Sequence, residues 1–131
     1  MLTLFASLYE DKALRQAQAA FTAENAQSLL YGVTGSQKSV LIAAAFQAAV
    51  RPTIIITAGH EAAETFRTDF AALLPEVPVV ELPAADIVTF AAAAKSVELA
   101  AKRMDVLNRM VRGEKIIVLA IAEAAMQKVI P

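Results

Sequence analysis

The sequence predicts an α/β fold with an open, mostly parallel sheet flanked by helices, of the phosphate-loop type. Three observations carry that expectation. A glycine-bounded segment, Gly32-Val33-Thr34-Gly35-Ser36-Gln37-Lys38-Ser39, lies between a short apolar run and a long alanine-rich one. The runs TIIIT at 53–57 and KIIVLA at 115–120 are rich in β-branched residues, as parallel strands covered on both faces are. Apolar residues at helical spacing separate these runs, and strands alternating with helices build a parallel sheet.

From Leu4 to Phe21, apolar positions (Phe5, Leu8, Tyr9, Ala13, Ala17, Phe21) alternate with charges, which predicts an amphipathic helix. Ser28 to Tyr31 reads as a short strand leading into Gly32, and Lys38 to Ala49 as a mostly buried helix. Arg51-Pro52 interrupts before the strand 53–57. A helix from about Glu61 to Leu73 follows, with Ala62, Phe66, Phe70 and Leu73 on its inner side, and then a strand from Val77 to Leu82. Pro83 to Ala94 matches no single element, although Ile87, Val88 and Phe90 suit one edge of a core.

Ser96 is placed as an N-cap, since its hydroxyl can accept the free amides of a first turn, and Gly113 as the stop. Between them Val97, Ala100, Ala101, Met104, Leu107, Met110 and Val111 form the apolar stripe. The strand 115–120 and a helix from Ile121 to Val129 complete the order. With 131 residues and no low-complexity linker, the expectation is one domain spanning 1–131.

The loop decides the chemistry. Nucleotide-binding loops read G-x-x-x-x-G-K-[ST]; their backbone amides and helix N-terminus cradle phosphates, the lysine meets the outer charge and the hydroxyl holds magnesium. Gly32, Thr34, Gly35, Lys38 and Ser39 are compatible with that pattern, but Gln37 stands where the second glycine belongs. Glycine there lets the backbone approach the phosphate with no Cβ in the way. A glutamine puts a long side chain in the phosphate's place. These six residues are therefore a vestigial loop expected to hold no cofactor. Hydrolysis would also need an acid at a strand end, whereas TIIIT ends in Thr57 and KIIVLA runs into Ile121, with Glu123 two residues on as a solvated helix residue. The expectation is no catalytic residue, the alternative being a small ATP-binding module or ATPase that keeps nucleotide despite Gln37.

Composition excludes other classes. There is no cysteine and a single histidine, His60, so neither a disulfide nor a zinc ligand set is expected. A net charge of -1 lacks the basic footprint of a domain that grips nucleic acid alone. The apolar runs 40–50 and 116–126 span eleven positions each, short of the roughly 20 a membrane helix needs. The first twelve residues lack a basic start, unlike a secretion signal. No membrane association and a cytoplasmic location are expected.

The order of these features resembles a known family. LLYGVTGSQKS, TIIIT, AAETFRTDFAALL and VPVVELP resemble the start of a superfamily 2 helicase, nearest to the excision-repair subunit UvrB. That subunit's loop reads like Gly32 to Gly35 followed by a glycine-lysine-threonine ending. The decayed loop, together with Ser96, Glu98, Arg103, Asp105, Asn108 and Arg109 in the run SVELAAKRMDVLNRM, is similar instead to the N-terminal UvrB-like domain, domain 1a, of the transcription-repair coupling factor (Mfd) family. The resemblance extends from about Tyr9 to Pro131. It implies a fragment of a much larger multidomain protein, acting as a non-catalytic scaffold. It also implies partners: UvrA, engaged mainly through the adjacent domain, and other domains of the same polypeptide. RNA polymerase and DNA would be bound by domains outside this chain, and ATP and magnesium used in its motor domains.

Other candidates have plain readings. His60 follows Gly59 at a strand end, where open α/β sheets place active sites, but as a lone histidine it reads as a helix-start residue. Lys102, Arg103, Arg109 and Arg112, interspersed with Glu98 and Asp105, read as a solvated, salt-bridged face. Gln16 and Gln18 fall where related helicases place an adenine-reading glutamine, without the proline that precedes it there. Asp86 and Phe90 suit either a contact surface or edge packing.

Overall fold

The computed structural model describes residues 6, 10–49, 51–84 and 93–128. Among them the order is α1 (Lys12–Thr22), α2 (Ser36–Ala48), β1 (Thr53–Thr57), α3 (His60–Leu73), β2 (Val79–Leu82), α4 (Ala93–Val111), β3 (Ile117–Ile121) and α5 (Ala122–Met126). It is an α/β fold with a small parallel sheet and helices. Two compact units are present: Met1–Val50 with Thr68–Pro75, and Arg51–Arg67 with Glu76–Pro131.

In the first unit, the Asp11 carboxylate accepts the amides of Ala13 (2.7 Å) and Leu14 (3.2 Å) and so starts α1, satisfying donors that a helix beginning leaves open. The expected helix start at Leu4, with Phe5, Leu8 and Tyr9, lies outside the described residues. In α2 the consecutive residues Ala43, Ala44, Ala45 and Phe46 are all buried, the mark of a helix covered on several sides. Among the described residues, Phe46, Phe70 and Leu74 are the largest buried apolar side chains of this unit. The strand expected at Ser28 to Tyr31 is absent: residues 26–31 have no regular structure, with Leu29 83% and Tyr31 86% exposed. An apolar run becomes a strand only where a neighbour supplies ladder partners, and the described sheet offers none to it.

That sheet lies in the second unit, with strand order β1-β3-β2 and both pairings parallel. Thr53 and Val79 both register with Ile117, so the three strands start at one level. β3 is central, and Ile117, Val118, Leu119 and Ala120 are fully buried, matching a continuous apolar run. β1 is an edge strand and alternates. Thr53, Ile55 and Thr57 are buried while Ile54 (41%) and Ile56 (59%) are exposed, which corrects the expectation that TIIIT is covered on both faces. β-branching alone does not distinguish an edge strand from a central one.

Leu82, Val106, Ile116, Val118 and Ala120 form the core of this unit, with Val80, Leu107, Met110 and Ala125 packed against it. α4 begins at Ala93, so Ser96 lies inside the helix and is not its cap. Its end agrees with the sequence: Gly113 has φ +73°, its amide bonds the carbonyl of Met110 (3.0 Å), and Glu114 N bonds Arg109 O (3.1 Å). This is the Schellman arrangement, in which a left-handed residue returns the chain onto the last carbonyls. A Cβ at Gly113 would meet nothing within 4 Å, so Gly113→Ala should cost only the left-handed backbone term, about 1 kcal/mol, read from urea unfolding. The expected edge residues Asp86, Ile87, Val88 and Phe90, and the end of the last helix at Val129, lie outside the described residues.

Candidate functional site

The glycine loop opens α2 with its own groups satisfied from within. Gly32 and Gly35 both take positive φ, +81° and +51°, conformations open to glycine at little cost. The Thr34 amide, one of the donors a bound phosphate would meet, bonds instead to Gln37 Oε1 at 3.2 Å. Gln37 N in turn bonds Thr34 O at 3.2 Å, so the two residues are tied twice. The amide oxygen of Gln37 thus acts as the loop's own acceptor.

Ser39 is equally committed. The residue is 1% exposed, and its hydroxyl donates to Asp69 Oδ2 at 2.5 Å. In a working loop this hydroxyl would hold magnesium. Here a carboxylate from α3 takes it. Lys38 is exposed beside it, as are Gly32, Thr34, Gly35 and Gln37. The sequence reading did not single out Asp69, although the signal was there: it falls three residues after Phe66 and one before Phe70, on the margin of the inward stripe.

Beside the loop lies a hollow of about 560 Å³, lined by Asp11, Leu14, Val33, Gln37, Val40 and Leu41 among others. Its volume is within the range of small-molecule sites, roughly 300–1,000 Å³. It is lined by Asp11, the N-cap of α1, and by Ala13 and Leu14 of that helix, not by Gln16 or Gln18. Glu123 is exposed in the first turn of α5, and among the described residues no group of three His, Asp or Glu side chains is placed to hold a metal ion.

Two other candidates resolve differently. His60 is the first residue of α3 and largely exposed, with Nδ1 3.8 Å from Glu81 Oε1. Arg67 bridges Glu64 (3.1 Å) and Glu81 (3.0 Å) there, a surface network. On α4, Lys102 pairs with Glu98 (2.9 Å), as expected for a solvated face, whereas Arg109 is half-buried and pairs with Glu114 (2.8 Å), past the end of the helix. Arg103 departs further from that expectation. It is 8% exposed, and its guanidinium donates to Pro83 O (3.0 Å) and Gln127 O (2.9 Å). The expectation failed because Arg103 lies four residues from Leu99 and three from Val106, on the inward side, where only a side chain with a long apolar stem and a forked donor can serve.

No described helix is long and apolar enough to cross a membrane. No family model matches the chain, and no solved structure is found to be similar to it. Over 105 residues, 80% of its length, the chain is 33% identical to the transcription-repair-coupling factor of Bacillus subtilis (strain 168), and it spans only 9% of that protein's length.

Proposed function

We propose that this chain is a non-catalytic, UvrB-like N-terminal domain of a transcription-repair coupling factor. The observation that carries the proposal is the Gln37 side chain on the Thr34 amide. The loop is closed by its own residue at the point where a phosphate oxygen would bind. Ser39, held by Asp69, is withdrawn from magnesium in the same way. The similarity to a coupling factor over most of the chain supports the context. In this reading the domain is a scaffold within a larger polypeptide. UvrA contacts fall mainly on the next domain, and RNA polymerase, DNA and ATP are handled by domains further along.

A second reading is supported by the hollow of about 560 Å³ beside the loop: a small ATP-binding module or ATPase that retains nucleotide binding despite Gln37. Titration with magnesium-ATP separates the two. The scaffold predicts no shift in melting temperature and no heat of binding, for the natural chain and for Lys38→Ala alike. Binding of about micromolar strength that Lys38→Ala abolishes would defeat it, because Lys38 matters only where phosphate is held. Gln37→Gly should free the Thr34 amide, so a gain of phosphate affinity in that variant would identify Gln37 as the blocking group.

A further inference from the structure

We draw no further inference here: the strongest candidate, the outer edge of β1, where Ile54 and Ile56 are exposed and the parallel sheet ends among the described residues, carries no proposal because nothing in the structure shows what covers it.

Discussion

Arg103→Ala is expected to lower the free energy of unfolding by about 3 kcal/mol, each hydrogen bond from a charged donor contributing about 1.5–3 kcal/mol. The guanidinium spans from Pro83, just past β2, to Gln127, just past α5, and so ties the ends of these two elements to α4. Its Nε is buried and has no partner among the described residues, an offsetting cost that keeps the total below the sum of two strong bonds. Arg103→Lys should recover little, because an ammonium cannot reach two carbonyls with a planar fork. Urea unfolding reads the effect, with Lys102→Ala as control. The Lys102 pair with Glu98 is exposed, and such pairs contribute about 0–1 kcal/mol. Equal losses at 102 and 103 would mean that Arg103 is only another surface charge.

The contrast between those neighbours shows how far the sequence is legible here. Helical spacing located α3 and α4, and continuous apolar or β-branched runs located α2, β1 and β3, because both patterns record which residues are covered. The glycine at 113 announced its turn, because few residues other than glycine take φ +73° at little cost. What the sequence did not disclose is what does the covering. Ser28 to Tyr31 is as apolar as a strand, yet a strand exists only through its neighbours. TIIIT and KIIVLA look alike, yet one is an edge and the other the centre. On α4 the apolar stripe includes Met104 and the charged face Arg103, while the helix turns Arg103 inward and Met104 outward. Rotation by a single residue is about 100°, enough to exchange an exposed face for a packing face. The loop was read more fully, since Gln37 lies in the motif itself. Its partner Thr34 is three residues away, within reach of local reasoning. Asp69, thirty residues from Ser39, is not.

Asp69→Ala is expected to destabilise the first unit by about 2 kcal/mol, since it strands a buried hydroxyl that has lost its acceptor. Ser39 is 1% exposed, so water cannot readily replace the carboxylate. Ser39→Ala should cost less, because Asp69 is only half-buried and can turn to solvent once its donor is gone. The double variant should then be no worse than Asp69→Ala alone, and the cycle should return a coupling of about 1 kcal/mol or more. Additive losses with no coupling would remove the Ser39 to Asp69 bond from the account of the loop. The same variants separate structure from magnesium chemistry. If Ser39 holds a metal, Ser39→Ala abolishes magnesium-dependent nucleotide binding and leaves stability nearly unchanged. If it is a strut between α2 and the end of α3, the variant shifts the urea midpoint and leaves the response to magnesium-ATP flat. The second pattern is expected, because the side chain that would face the metal already faces a carboxylate of its own chain.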